Sequence, residues 1–491
     1  MNDNEDFEKL LSSFRASSAA VAATVAEQDN SSIPFILEMM EEEEELAFGP
    51  NNKMMKGRRH KSPNIKRDFK GAYDKLVKDY FSGPTSKYTE DHFKRRFRVS
   101  PSLFDKIYKA IYGKGVFIPA GKRNAAKALG IHPLVRLTAV FRNLAYGTSS
   151  DVQDENLQIG ETTLNKAMDN FCILMIKEFG DEYLNRNPTA DERKDLMQIS
   201  KARGFPGCFA SWDCKHFVWD NCPITLQGQH KGHHAGGKHT KILEAIADYS
   251  CYFWYINFGD PGSLNDINVL DKSSIVGSLM TGLLDLKVPP YTINNHERDW
   301  MYFLADGIYP DWAIFVKTIP TQAQQNRAET YFATQQEAVR KDIERAFGIL
   351  VKKFHILARP LRKWNDDAIR NLLYTCCIIH NMCCKERMEQ LGTRFLNPQE
   401  HEAFYDANNN QQDNHHAAIN NQQEQRQRIF SRLEDGGLQE DHEDVHVNMT
   451  RRFLRCNKLH EFLTDKGRHV QLKRDLIKHL KQHNQQQHHH V

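Results

Sequence analysis

The sequence predicts an α/β protein in which a helical segment precedes a mixed sheet flanked by helices. Three observations lead there. Apolar residues recur at helical spacing between about 100 and 180, short β-rich runs begin at Gly204, and a long helical pattern spans about Thr321 to Ala358. A chain of 491 residues exceeds one ordinary domain, so two folded units plus tails are expected.

Residues 1–65 read as a disordered tail: Ser/Ala-rich, then acidic at Glu41–Glu45, then basic from Lys53 to Lys70. The basic run fits nuclear import or phosphate contact, and equally a solvated linker. Residues 66–200 read as a helical, helix-turn-helix-like domain. Ser100-Pro101 starts one helix as N-cap and first residue, and Gly113 stops it. Another follows Pro133 and breaks at Gly147. A third opens near Gly160, and Arg136, Arg142 and Lys166 are placed to face phosphates.

Residues 201–390 read as the sheet-bearing core, with strands at Cys208–Trp212, Ile242–Asp248, Tyr252–Phe258, Tyr302–Asp306 and Ala313–Val316. A helix begins near Asn265, and a late helix carries Ile369, Leu372, Leu373 and Ile379. Residues 391–491 combine a low-complexity linker, Asn/Gln/His-rich from Asn408 to Arg426, with an amphipathic helix at Leu472, Leu476, Ile477 and Leu480. No apolar run approaches the roughly 18 residues of a membrane span. The start, Met1 to Asp6, lacks a signal peptide's basic and apolar regions, so the ten cysteines are expected to be reduced thiols of an intracellular protein.

Three short stretches carry the chemistry. Ser211-Trp212-Asp213-Cys214 and Leu304-Ala305-Asp306-Gly307 each put an aspartate at the end of a β-type run. Asp342-Ile343-Glu344-Arg345 puts a glutamate at the edge of the apolar stripe of the long helix. Hard divalent cations take oxygen ligands, and carboxylates can share two ions about 3.5–4 Å apart across a scissile phosphodiester. The spacing alone is unspecific, because a long chain offers many such triples.

The flanking residues add specificity. Trp212-Asp213-Cys214-Lys215-His216 and Pro261-Gly262-Ser263-Leu264-Asn265-Asp266-Ile267-Asn268 resemble successive blocks of the PIF/Harbinger transposases and the nucleases derived from them. So do Phe303-Leu304-Ala305-Asp306-Gly307-Ile308-Tyr309-Pro310 and Lys341-Asp342-Ile343-Glu344-Arg345-Ala346-Phe347-Gly348. The resemblance runs from about Tyr88 to Met382. It implies an RNase H-like core and a metal-dependent DNA endonuclease, with or without strand transfer. Asp213, Asp306 and Glu344 would be catalytic, and with Asp266 they would bind Mg²⁺ or Mn²⁺. It also implies action in the nucleus on DNA beside a separate Myb-like DNA-binding partner; homo-oligomers and some cytoplasmic protein are compatible with it. The alternative from another class is a domesticated, non-catalytic DNA- or chromatin-binding protein.

Two other clusters are weighed as zinc sites. His230, His233, His234 and His239 lie in a Gly- and Lys-rich connection without a Cys, which favours an exposed basic hairpin. Cys376, His380, Cys383 and Cys384 share one side of a helix beside Ile378, Ile379 and Met382, which favours buried thiols. Lys215 and His216 either touch substrate or finish the strand.

Overall fold

The computed structural model describes residues 65–118, 130–232, 234–281, 284–392 and 458–489. The acidic and basic stretch as far as Lys61, His233 and the Asn/Gln/His-rich run lie outside them. Helix α1 (Phe69–Leu76) opens the described fold, with the Asp68 side chain accepting from the Gly71 N–H as its cap. Helices α2 (Glu90–Phe97) and α3 (Pro101–Ile111) begin at Thr89 and Ser100, whose hydroxyls accept from the N–H groups of His92 and Leu103. Helix α4 (Pro133–Tyr146) has eleven of its fourteen residues buried, which leaves no broad face for a partner. A short α5 (Val152–Leu157) separates it from the long α6 (Glu161–Tyr183), and α7 (Ala190–Ala202) leads to the sheet.

The sheet contains β1 (Cys208–Val218), β2 (Thr240–Ala247), β3 (Phe253–Pro261), β6 (Tyr302–Ala305) and β7 (Phe315–Lys317). Its order is β3-β2-β1-β6-β7, antiparallel on the β2 and β3 side and parallel on the β6 and β7 side. Helices α8 (Asp266–Lys272) and α9 (Ser274–Thr281) follow β3, and a separate hairpin of β4 (Lys287–Ile293) and β5 (His296–Trp300) precedes β6. Helices α10 (Arg327–Lys353) and α11 (Asp366–Leu391) pack on the sheet, and α12 (Lys466–His489) closes the described chain.

Strand β1 is longer than the expected Cys208–Trp212. Asp213 to His216 are polar on both faces and look like a strand's end. Their backbone nonetheless pairs with β2, whose eight residues are all buried, and the ladder continues to Val218. Asp213 therefore sits within a strand. Helix α10 begins at Arg327 rather than near Thr321, because the Asn326 side chain caps it by accepting from the Ala328 and Glu329 N–H groups.

One hydrophobic cluster joins Phe93, Phe104, Phe141 and Phe171 of the helical segment to Phe253, Leu350, Leu373 and Met382 around the sheet. Gly147 shows how close that junction is. It ends α4 at φ +58°, and a Cβ there would collide with the His355 backbone. The described residues from Asp68 onward belong to one compact unit. Helix α12 folds back onto it: Leu472, Leu476 and Leu480 are buried with Phe205, Tyr302, Leu304, Val316 and Phe332. Among the described residues no helix is long and apolar enough to cross a membrane.

Candidate active site

Alternation along β1 sends Ser211 and Asp213 to one face, toward α10. The Ser211 hydroxyl donates to the Val339 carbonyl at 3.4 Å, so α10 crosses β1 one residue before Arg340. The parallel register of β1 and β6 puts Ser211 opposite Leu304. Two residues on, Asp213 and Asp306 reach the same level on neighbouring strand paths. The Asp213 carboxylate accepts from the Cys214 N–H at 2.9 Å, and Asp306 accepts from the Gly307 N–H at 2.6 Å.

Asp266 arrives from the other side of the sheet. The Asn265 side chain accepts from the Asn268 N–H at 2.9 Å and caps α8, so Asp266 is the first helical residue and is not needed as the cap. Upstream, the Gly262 N–H donates to the Thr240 carbonyl at 2.9 Å, and a Cβ on Gly262 would collide with the Thr240 side chain. That close approach fixes the turn that delivers Asp266, a reason for glycine in the Pro261-Gly262-Ser263 stretch.

Burial pushes the Asp213 carboxyl up to about 6, opposed by the Cys214 N–H and Arg340 and aided by the charges of Asp266 and Asp306. Those charges lie near enough to be felt. Arg340 enters the site from α10. Its guanidinium donates to Asp213 at 3.1 Å through one nitrogen and pairs with Glu344 at 2.8 Å through the other. Glu344, one helical turn beyond Arg340, is about half exposed. Arg340 thus holds two of the candidate carboxylates as a shared counter-ion. Among the described residues no three His, Cys, Asp or Glu side chains stand close enough together to hold a metal ion as they are.

A further carboxyl lies deeper. Glu244 accepts from Trp212 Nε1 at 3.0 Å and from the Ser273 hydroxyl at 2.6 Å, and burial pushes it up to about 8. Buried Tyr309 lies 3.5 Å from the Cys214 sulfur; burial, then Cys214 and Asp266, raise its hydroxyl well above the usual phenol range. A lone Glu inside the apolar run Ile242–Ala247 was the available sign of Glu244.

The remaining side chains take other places. His216 Nδ1 lies 2.9 Å from the Thr240 hydroxyl, and Lys215 lies over the Phe217 ring at 5.8 Å. His230 Nδ1 bonds the Thr240 carbonyl at 2.9 Å, with its ring edge-on to Trp219. His380 Nε2 sits 2.8 Å from the Cys251 carbonyl and 3.5 Å from the Cys384 sulfur, inside the core. Cys383 is 3.7 Å from the Arg98 carbonyl. Arg136 turns inward to the Val116 carbonyl, and burial lowers its pKa.

Residues 181–390 match the family described as plant transposon protein, a stretch that contains Asp213, Asp266, Asp306, Arg340 and Glu344. Residues 73–112 match a domain of unknown function. No curated protein and no solved structure matches the chain. The region bearing the candidate site is therefore transposon-related.

Proposed function

We propose that this chain is a metal-dependent DNA endonuclease of the PIF/Harbinger transposase type, working through Asp213, Asp306 and Glu344 with Asp266 as a fourth oxygen donor. The observation that carries the reading is the parallel β1–β6 register, which levels Asp213 with Asp306 while α10 brings Glu344 to Arg340 beside them. The sheet order, antiparallel on one side of β1 and parallel on the other, is the arrangement expected of an RNase H-like core.

The donor set suits a hard divalent cation, since every candidate ligand is a carboxylate. Arg340 occupies the position of the positive charge those groups call for. Mg²⁺ or Mn²⁺, when bound, would activate a water and stabilise the leaving oxygen of the phosphodiester. The chain's own contribution is to hold Asp213 ionised at neutral pH despite burial. Arg340 does so in this structure, and its long side chain can withdraw as Asp213 and Glu344 turn to another cation. End recognition and nuclear entry fall to a Myb-like partner in this reading, because buried α4 offers no free recognition helix.

The test is cutting of DNA by the purified chain with Mg²⁺ or Mn²⁺, with Asp213→Asn, Asp306→Asn and Glu344→Gln alongside. Each variant is expected to lose cutting while its melting temperature stays within a few degrees. Undiminished cutting by any of them removes that residue from the site. The Arg340 bridge also favours a second reading, a non-catalytic DNA-binding protein whose carboxylates are neutralised internally. Absence of cutting by the intact chain, with DNA binding retained, selects that second reading.

A further inference from the structure

The far end of β1 carries a surface feature that cutting does not use. The chain has six tryptophans. Trp212, Trp219 and Trp254 are buried, Trp300 and Trp312 are partly covered, and Trp364 stands 67% exposed. An indole in water forfeits apolar burial, so a solvent-facing Trp on a fixed backbone calls for an explanation. The backbone here is fixed. The Leu361 N–H donates to the Val218 carbonyl at 2.7 Å, the Asp220 N–H to the Leu361 carbonyl at 3.0 Å, and Trp219 Nε1 to the Lys363 carbonyl at 2.9 Å. Immediately after Trp364, Asn365 caps α11 by accepting from the Ala368 N–H at 3.0 Å.

The charge around it is uneven. Arg359 and Arg362 are exposed, and neither has a carboxylate within ion-pair distance among the described residues. Lys363 spends its charge on Asp169. The carboxylates beside the loop are exposed Asp220, Asp366, which pairs with Lys241, and exposed Asp367, which pairs with Arg370; the remaining exposed apolar group is Ile224 on the adjoining segment. A stable protein interface covers about 800 Å² on each partner. One indole and one isoleucine are far too small a core for that, but an exposed indole on a loop that also carries two guanidiniums without an ion-pair partner suits an unpaired base with its phosphates.

We propose that the loop 359–364 binds single-stranded DNA, with Trp364 stacking on one unpaired base and Arg359 and Arg362 contacting the flanking phosphates. The proposal rests on the reading of this chain as a DNA-cutting enzyme and adds where the strand runs. Trp219, to which the loop is bonded, directly follows β1 and lies six residues from Asp213, about 20 Å at about 3.3 Å per residue.

The test uses the full chain in EDTA, which prevents cutting, with a fluorescein-labelled 12-nucleotide single strand and the matching duplex, read by anisotropy. Trp364→Ala is expected to loosen the single strand about tenfold and the duplex far less, and Trp364→Phe to recover most of the loss. Replacing Arg359 and Arg362 by Gln should flatten the dependence of binding on salt. An unchanged single-strand affinity in Trp364→Ala overturns the proposal, and so does an equal loss on both DNAs, since stacking needs an unpaired base. Because Trp364 is exposed, an unchanged melting temperature is expected for every variant. If the intact chain cuts DNA but the variants bind as it does, only this proposal fails. If the intact chain neither binds nor cuts, the functional reading fails with it.

Discussion

At the scale of single residues, Arg340 is the side chain on which the site turns. It neutralises a largely buried aspartate and a half-exposed glutamate at once, and a charged hydrogen bond of this kind is worth about 1.5–3 kcal/mol. Arg340→Ala should therefore lower the melting temperature of the metal-free chain. It should also strengthen Mn²⁺ binding, measured by titration calorimetry, because the resident cation is gone. Weaker Mn²⁺ binding in that variant would show that Arg340 helps to build the site instead of competing for it. Asp266 permits a parallel comparison. Asn265 already caps α8, so Asp266→Asn should leave the helix start in place, and the lost attraction of its carboxylate to the helix N-terminus is worth about 0.3–1 kcal/mol. A large rise in the Mn²⁺ concentration needed for half-maximal cutting, with melting nearly unchanged, marks it as a ligand. Unchanged metal dependence removes it from the site.

At the scale of elements, α12 is the amphipathic piece of the C-terminal stretch, and such a helix can pack on its own core or bind a partner. Here its leucines are buried against β6, β7 and α10. Arg298 pairs with Asp475, and His469 Nδ1 lies 2.9 Å from the Phe315 carbonyl. The helix thereby covers the side of the sheet that delivers Asp306. Leu476→Ala, fully buried, should cost about 2–5 kcal/mol in urea unfolding. A loss below 0.5 kcal/mol would mean that α12 leaves this seat in solution. Among the strands, the β4–β5 hairpin is what the sequence reading missed. Its turn residues Asn294 and Asn295 both take positive φ, 48° and 64°, as a two-residue hairpin turn requires, while Pro289 and Pro290 disguise the strand before it.

At the scale of the whole molecule, buried acids set the response to pH. Burial lifts Asp248 to about 7 and Glu244 to about 8, above their ordinary values of 3.8 and 4.5. Each holds its proton more tightly folded than unfolded, so the stability gained from protonation is lost as pH rises through those values. Below about pH 6.5, His230 and His469 act in the opposite sense, because burial holds them neutral. The window these carboxyls govern is thus pH 6.5 to about 7.5, because above it the buried thiols, which burial also raises, add a fall of their own. The melting temperature of the metal-free chain should fall across it, and Glu244→Gln should flatten the fall. A flat profile for the unaltered chain would show that these carboxyls are ionised when folded.

The sequence alone determined the α/β class, the starts of the helices at Pro101, Pro133, Glu161 and Asp266, and where the motif residues lie, because caps, prolines and apolar periodicity are local signals. Ser100-Pro101, Gly147 and Asn265 act where their chemistry placed them. The tertiary structure decided what depends on residues far apart in the chain. Pairing with β2 kept Asp213 inside a strand, and contact with α4 demanded Gly147 opposite His355. The fold also brought Arg340 across to Asp213. In the sequence Arg340 is a helical neighbour of Glu344, an ordinary surface pairing. Its second bond exists only because α10 crosses β1 at Val339, a meeting fixed by the packing of a whole helix on a whole sheet.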